Sequence, residues 1–235
     1  MAAVLNEAEN IRPVCAELAE AARALPPCEI IFVDDGSTDG TVDALVAARI
    51  DGILPDLRII SHDRRLGKSA AVRTGVEAAR GQWIATLDGD GQDDPMEIVR
   101  MFELAQKAQG PAPLVVGVRL RRQDTLSRRL ATRFANGLRR RLLRDGCPDT
   151  GAPLKLFRRA DFLRLPQFEG VHRFLPALFG HYGTPLLCQP VRHRNRLHGS
   201  SKYTNFNRAL VGFRDLLGVI WLINRTRLPR RVTER

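Results

Sequence analysis

Short apolar runs that end in acidic residues constrain the fold of this chain more than any other feature of its sequence. Residues 29–34 read Glu-Ile-Ile-Phe-Val-Asp, and residues 83–88 read Trp-Ile-Ala-Thr-Leu-Asp. Continuous runs of this kind are typical of strands that are buried on both faces of a parallel sheet. The pattern of apolar and turn residues predicts helices at 10–25, 42–49 and 69–80 and further strands at 57–61 and 114–118. Because strands and helices alternate, we expect an α/β fold with a right-handed, mostly parallel sheet.

The loop after the second run predicts a cation site. Asp88 and Asp90 flank a glycine that allows a sharp turn, and Gln92 adds a neutral oxygen two residues later. Carboxylate and amide oxygens are ligands of Mg²⁺ or Mn²⁺, and such an ion keeps open positions for the oxygens of a phosphate. The alternative is an acidic turn that leads into a helix, with Asp94 as the cap before Pro95. From this loop alone, both interpretations stay open.

A second acidic loop, residues 34–41, follows the first run and reads Asp-Asp-Gly-Ser-Thr-Asp-Gly-Thr. In an open α/β sheet, ligands bind at the carboxyl ends of the strands, so we expect both acidic loops at one edge. Asp35 is suited to accept hydrogen bonds from a nucleobase and from ribose hydroxyls. The alternative is a solvated turn in which Thr38 or Asp39 caps the next helix.

Two nucleotide-binding motifs are excluded. Residues 67–69 read Gly-Lys-Ser, as at the end of a phosphate-binding P-loop, but His62 stands where this motif requires its first glycine. No Gly-x-Gly-x-x-Gly motif follows a predicted strand either. An NTPase and a dinucleotide-dependent enzyme are therefore both unsupported.

Composition and charge indicate an anionic partner. The 235 residues, 44% of them hydrophobic, suit one α/β domain, and the formal net charge is +11. This charge fits nucleic acid, an acidic membrane surface or a phosphorylated substrate. The four cysteines have no paired spacing, so neither a zinc site nor a disulfide framework is predicted. The longest apolar run, residues 216–223, is too short to span a bilayer and no signal peptide is visible, so a soluble or peripheral protein is expected.

The segment from Arg119 to Arg144 contains ten arginines. From Leu126 onward, apolar residues recur every four positions and arginines fall on a neighbouring face, which predicts a basic amphipathic helix. Such a helix suits an anionic membrane surface, or a phosphate that is drawn from that surface. Nucleic acid is the rival partner. Phe134 is the only aromatic residue that this segment offers for stacking on bases, so we do not expect the segment to bind nucleic acid. A packed helix with a solvated basic face is the second alternative.

The C-terminal third adds a basic loop and another amphipathic helix. Residues 185–193 alternate as in a strand, and the basic stretch 192–202 is suited to fold over phosphates. For the histidines at 172, 193 and 198, a packed or hydrogen-bonding role is expected rather than acid–base catalysis. Apolar residues between Phe206 and Trp221 recur at helical spacing, which predicts an interfacial helix. A core helix and a dimer interface are the alternatives.

Several groups of residues resemble motifs of the family-two glycosyltransferases, which have the GT-A fold. They are Asn6-Glu7, the acidic loop 34–41 and the acidic stretch 88–95. Residues 149–158, 172–176 and 198–203 extend the similarity to the dolichol-phosphate mannosyltransferase group, whose bacterial members load a sugar onto a polyprenyl phosphate. The resemblance implies a nucleotide-sugar donor, GDP-mannose or a UDP-sugar, together with Mg²⁺ or Mn²⁺ and inversion at the anomeric carbon. It also implies a GT-A catalytic domain over 1–200, followed by a C-terminal loop and interfacial amphipathic helix over 201–235.

The resemblance assigns roles residue by residue. The nucleoside would be contacted by Asn6, Glu7, Asp34 and Asp35, and the cation with the donor diphosphate would be bound by Asp88, Asp90 and Gln92. Arg119 and Arg133 would hold the acceptor phosphate. Ser201 and Lys202 would close over the donor phosphates from a mobile loop. The chain departs from the family pattern at Ala3, where the family has a proline, and an incomplete first strand is therefore expected.

These expectations combine into one predicted function. The chain is expected to be a peripheral enzyme at the cytoplasmic face of the plasma membrane that transfers a sugar from a nucleotide-sugar donor to a polyprenyl phosphate. A phosphate acceptor is already ionised at neutral pH, so the reaction needs no strong general base. A glycosyltransferase with a saccharide hydroxyl acceptor and a basic nucleic-acid-binding module are the alternatives. Whether the protein forms a homo-oligomer stays open.

Overall fold

A seven-stranded, mostly parallel sheet forms the centre of the molecule, in the order β3-β2-β1-β4-β6-β5-β7. The computed structural model describes residues 1–119, 137, 139–192, 194 and 205–228, with the backbone alone for 205–210. The strands are β1 (Ala2–Val4), β2 (Ile31–Asp34), β3 (Arg58–Ser61), β4 (Trp83–Asp88), β5 (Leu114–Arg119), β6 (Lys155–Arg158) and β7 (Leu186–Val191). The predicted α/β class and the predicted strands are confirmed, because every expected apolar run lies in this sheet.

Helices cover both faces of the sheet. They are α1 (Ala8–Arg23), α2 (Thr41–Ile50), α3 (Lys68–Ala78), α4 (Met96–Lys107), α5 (Arg159–Leu163), α6 (Leu175–His181) and α7 (Asn205–Arg225), with a 3-10 turn at Val171–Arg173. Residues 139–143 are also helical. Helices α1 and α4 pack on one face of the sheet, and α3, α6 and α7 pack on the other. This arrangement is the layered one that alternating strands and helices predict.

Strand β6 departs from the predicted alternation. It lies between β4 and β5 and runs antiparallel to both. The sequence indicated a motif at 149–158 but no strand there, because a four-residue segment that begins with a lysine and ends with an arginine does not read as a buried strand. Since β4 and β5 flank the same antiparallel strand, they run in the same direction, and their carboxyl ends lie at the same edge.

The first strand is short, as predicted. Three residues of β1 pair with β2 on one side and with β4 on the other. The amino group of Met1 donates a hydrogen bond to the carbonyl oxygen of Ala85 at 2.6 Å. Burial lowers the pKa of this amino group from 8.0 to about 6, because desolvation disfavours the charged form. A largely apolar cavity of about 270 Å³, lined by Leu18, Trp83 and Phe102 among others, lies beside this end of the strand.

Helix α7 has one buried and one exposed apolar face. Leu216 and Val219 are buried in the core that lies on the α3 side of the sheet. Phe213, Leu217 and Trp221 are spaced four residues apart and are 53%, 52% and 64% exposed. The core alternative therefore describes one face of this helix, and the other face is apolar and exposed. Within the described ranges, no helix has the length and apolarity that crossing a membrane requires.

Candidate active site

The carboxyl ends of four strands bring the predicted site residues to one edge of the sheet. In the parallel pairing, Val4 of β1 lies opposite Asp34 of β2, and Ala3 lies opposite Asp88 of β4. Arg119 is the last residue of β5, at the same edge. The expectation that both acidic loops share one edge is therefore confirmed.

Asp88 is bound to a lysine for which the sequence predicted no role. The Nζ atom of Lys68, the first residue of α3, donates to Oδ1 of Asp88 at 2.5 Å. The two side chains are 31% and 29% exposed, so the pair faces the open side of the site. Residues 67–69 were excluded as a P-loop, and Lys68 received no other assignment. The signal that could have found it is its position, since α3 begins after the short loop that follows β3, at the edge where ligands bind.

The loop after β4 is tightly folded over β1. A Cβ atom on Gly89 would lie 2.2 Å from Cγ1 of Val4, so a larger residue does not fit without movement. The Asp90 side chain is buried, with Oδ1 accepting a hydrogen bond from the backbone N–H of Gln92 at 3.1 Å. The Gln92 side chain donates to the carbonyl oxygen of Arg194 at 3.3 Å. The loop conformation is thus set by its glycine and by its own side chains.

The chemistry of this loop fits a hard divalent cation. Two carboxylates and one amide supply oxygen ligands within five residues, which is what Mg²⁺ and Mn²⁺ prefer. Among the residues described, no group of three or more His, Cys, Asp or Glu side chains gathers as a metal cluster. Asp94 has the role that the alternative interpretation gave it, a cap at the start of a helix. Its carboxylate accepts a hydrogen bond from the backbone N–H of Met96, the first residue of α4.

The carboxylate of Asp35 holds a neighbouring loop. It accepts hydrogen bonds from the backbone N–H groups of Leu66 at 2.9 Å and Gly67 at 2.7 Å, and it contacts Nδ1 of His62 at 2.9 Å. Gly36 packs against the same loop, where an added Cβ would lie 2.6 Å from the backbone carbon of Arg64. Asp35 is 4% exposed, so its contacts in this structure are with the protein. These contacts place the amino end of α3, and with it Lys68, next to the acidic loop of β4.

Asn6, Glu7 and Asp34 shape the loop after β2. The side chain of Asn6 accepts from the N–H of Thr38 at 2.8 Å, and the carboxylate of Asp34 accepts from the N–H of Ser37. The backbone N–H of Glu7 donates to the hydroxyl of Thr41 at 2.8 Å. The structure therefore brings these three residues to the predicted edge, and each binds protein groups there.

Arg119 forms a bidentate ion pair that was not predicted. Its Nε and one terminal nitrogen donate to the two carboxylate oxygens of Asp149, at 2.6 and 2.8 Å. Burial works to lower the pKa of Arg119, but the hydrogen bonds and charge of Asp149, with the charges of Asp93 and Asp88, raise it above its usual value. Arg119 is therefore a permanent cation beside the acidic loop. Asp149 begins the segment 149–158, whose resemblance was noted without a role for this residue.

A second lysine lies beneath these pairs. Lys155, the first residue of β6, is 4% exposed, and its ammonium donates to the carbonyl oxygen of Ala152. Burial lowers its pKa from 10.5 to about 8, with a smaller effect of Lys68 in the same direction, while Asp88 and Asp149 oppose the shift. Three cations and several carboxylates thus share a small volume at the end of the sheet.

A serine and a histidine connect this edge to the segment before α6. The hydroxyl of Ser69 accepts a hydrogen bond from the N–H of Gly170 at 3.0 Å and lies 2.7 Å from Nδ1 of His172. His172 therefore has the hydrogen-bonding role that was expected for it. Four predicted residues or groups lie outside the described part of the chain: Arg133, Ser201 with Lys202, His193 with His198, and most of the basic helix from Leu126.

Comparison with known proteins identifies the family. The protein-family model "Glycosyl transferase family 2" matches residues 2–165 of the sequence. The dodecaprenyl-phosphate galacturonate synthase of Rhizobium johnstonii is 34% identical over 225 residues, which are 94% of this chain and 65% of that protein. An undecaprenyl-phosphate 4-deoxy-4-formamido-L-arabinose transferase of Pectobacterium carotovorum is 36% identical over 86% of this chain and 61% of its own length. The chain thus spans less than two thirds of the length of these relatives.

Solved structures show the same fold. The glucosyl-3-phosphoglycerate synthase of Mycobacterium tuberculosis, in complex with Mg²⁺ and uridine diphosphate, superposes with a TM-score of 0.70 over 94% of this chain and 76% of that one. The identity is 18%, so this likeness concerns the GT-A fold alone. A second mycobacterial protein has a TM-score of 0.68 at 21% identity. With its fold and most of its length matched, the chain belongs to glycosyl transferase family 2.

Proposed function

We propose that this chain is the catalytic part of an inverting glycosyltransferase that moves a sugar from a nucleotide-sugar donor to a polyprenyl phosphate. The observation that carries the proposal is the meeting of the acidic loop Asp88–Gln92 with the permanent cation Arg119 at one sheet edge. A cation site and a separate guanidinium suit two phosphate-bearing substrates that must be brought together. The names of the two relatives, both polyprenyl-phosphate sugar transferases, support this choice of acceptor.

On the donor side, Asp88, Asp90 and Gln92 would hold Mg²⁺ or Mn²⁺. When bound, the cation would neutralise the charge that develops on the departing nucleoside diphosphate. Lys68 would then be released from Asp88 toward the donor phosphates, since its partner would bind the cation instead. The loop built by Asn6, Glu7, Asp34 and Asp35 would accommodate the nucleoside, either through these side chains or through the backbone that they hold. Ser201 and Lys202 would close over the donor.

On the acceptor side, Arg119 would bind the phosphate of the lipid, with Arg133 as a second cation. An oxygen of the lipid phosphate attacks the anomeric carbon while the bond from that carbon to the donor diphosphate breaks, which inverts the configuration. The acceptor oxygen is already ionised at neutral pH, so no base is required to activate it. Catalysis would therefore come from positioning and from electrostatic stabilisation.

The exposed face of α7 would bind an anionic membrane surface. Phe213, Leu217 and Trp221 form an apolar stripe, and Arg214 and Arg225 are exposed on the same helix. An amphipathic helix of this kind lies in the membrane interface, with its apolar residues among the acyl chains and its arginines near the headgroups. Residues 1–200 would then form the catalytic domain and residues 201–235 its interfacial end, at the cytoplasmic face of the plasma membrane.

The decisive experiment supplies a panel of nucleotide sugars with Mn²⁺ and a short polyprenyl phosphate, and follows the lipid by mass spectrometry. We expect one nucleotide sugar to give a glycosylated lipid phosphate whose formation stops when the cation is chelated. Transfer to a saccharide hydroxyl, with none to the lipid, would refute the proposed acceptor. Binding of nucleic acid with a steep salt dependence, and no binding of any nucleotide sugar, would refute the proposed enzyme.

A further inference from the structure

Lys155 is a buried cation to which the proposed reaction gives no task. In the sheet register it lies between Thr86 of β4 and Val116 of β5. Thr86 is two residues before Asp88, where the acidic loop begins. Its surroundings are charged, with Lys68, Asp88 and Asp149 close enough to act on it. A buried ammonium is unfavourable unless it is hydrogen bonded and near opposite charge. Lys155 satisfies both conditions through groups that belong to the site.

The hydrogen bond of Lys155 anchors a tight turn. Its ammonium donates to the carbonyl oxygen of Ala152, and the hydroxyl of Thr86 donates to the carbonyl oxygen of Pro153 at 2.8 Å. Within the turn, the N–H of Ala152 donates to the carbonyl oxygen of Asp149 at 3.4 Å. Two side chains of the sheet thus hold the end of a turn that begins at Asp149. We call residues 149–153 the Asp149 turn.

The same turn carries the carboxylate that orients Arg119. Both oxygens of Asp149 accept from Arg119, and the two side chains are only 10% and 12% exposed. A bidentate pair of this kind fixes the plane of the guanidinium as well as its position. A shift of the Asp149 turn would therefore rotate Arg119 away from its present direction.

We propose that Lys155 is a positioning residue for acceptor binding: by holding the Asp149 turn against the sheet, it keeps Asp149 where it orients Arg119. This inference rests on the proposed function, in which Arg119 binds the phosphate of the acceptor. Lys155 itself lies beneath the site and is 4% exposed, so it offers almost no surface to a substrate. Its effect through the Asp149 turn is therefore expected to be larger on acceptor binding than on donor binding.

The test compares Lys155→Met, Lys155→Gln and the control Lys107→Met, which alters an exposed lysine at the end of α4. With saturating donor, the KM for a short polyprenyl phosphate is expected to rise about tenfold in Lys155→Met, with a smaller change in kcat. Nucleotide-sugar affinity, measured by calorimetry without acceptor, is expected to change less than about twofold. Lys155→Gln keeps a donor for Ala152 and is expected to recover most of the loss.

Three results would overturn the inference. They are an acceptor KM in Lys155→Met within about twofold of the wild type, an equal loss of donor affinity, or a Lys155→Gln variant as impaired as Lys155→Met. If the wild type itself transfers nothing to polyprenyl phosphate, the proposed function fails. Crystal structures of the wild type and of Lys155→Met then test whether Lys155 holds Asp149 and Arg119 in place. A separated Arg119–Asp149 pair in Lys155→Met, with the fold intact, supports positioning, and an unchanged bidentate pair refutes it.

Discussion

The buried charge of Lys155 predicts a pH-dependent stability that a single substitution should remove. The folded chain holds this lysine at a pKa of about 8, against 10.5 for a solvated side chain. The folded state therefore binds fewer protons than the unfolded state between these values. For a base with a lowered pKa, the destabilisation is fully present below pH 8 and is relieved as the pH rises toward 10.5. Lys155→Met has no such group and lacks this dependence.

The magnitude follows from the shift. Each pKa unit corresponds to about 1.4 kcal/mol, so the fall from 10.5 to about 8 destabilises the wild type by about 3 kcal/mol at pH 7, and most of this is recovered by pH 10. The substitution has a second effect, because the methionine side chain in Lys155→Met cannot donate to the carbonyl oxygen of Ala152. This orphaned acceptor costs about 1–3 kcal/mol at every pH. The change of the stability difference with pH therefore isolates the charge.

Urea unfolding at pH 7, 8, 9 and 10 measures this quantity. The free energy of unfolding of the wild type should rise relative to that of Lys155→Met by about 2–3 kcal/mol between pH 7 and 10. Titration of other groups affects both proteins and cancels in the comparison. Lys107→Met is the matched control, and its difference from the wild type should stay level, because an exposed side chain meets similar solvent in both states. A difference between wild type and Lys155→Met that stays constant within about 0.5 kcal/mol would refute the buried charge.

Three further outcomes are expected. Asp90→Ala should abolish transfer, and cation-dependent turnover in this variant would contradict the assignment of Asp90 to the metal. Asp94→Ala removes a cap of α4, so it should lower the free energy of unfolding by about 1 kcal/mol and retain turnover. Gly89→Ala should lower the free energy of unfolding by about 1–3 kcal/mol through its clash with Val4, while Gly218→Ala, with open space around it, should not. Trp221→Glu should weaken binding to anionic vesicles about tenfold in a flotation assay, and more than Asn224→Glu, which adds the same charge.

The sequence was sufficient to predict the edge at which the site lies. Continuous apolar runs identify buried parallel strands, and ligands bind where such strands end, so the acidic loops after β2 and β4 were expected together. The pairing of Val4 with Asp34 and of Ala3 with Asp88 confirms that expectation. Local pattern was enough here because each loop directly follows the strand that positions it.

The contacts inside the site could not be predicted, because they join residues that are distant in the chain. Lys68 and Asp88 are 20 residues apart, and Arg119 and Asp149 are 30 residues apart. No periodicity signals such pairs. Strand β6 was also missed, because Lys155 stands at its start and a charged residue in a four-residue segment argues against a buried strand. Helical spacing predicted α7 and its apolar residues, but the spacing does not show which of these residues pack on the domain.

The two ion pairs explain how a site with so many charges is stable before substrate arrives. Asp88, assigned to a cation, is paired with Lys68, and Arg119, assigned to an anion, is paired with Asp149. A ligand must therefore exchange partners with a group of the protein. A cation alone would leave Lys68 close to a second positive charge, and a diphosphate alone would lie beside the carboxylates of Asp88 and Asp90. If both are bound, Asp88 would hold the cation in place of Lys68 and the released ammonium would lie against the diphosphate, so every charge would keep a partner. Cation and nucleotide are therefore expected to bind this edge cooperatively, each raising the affinity for the other.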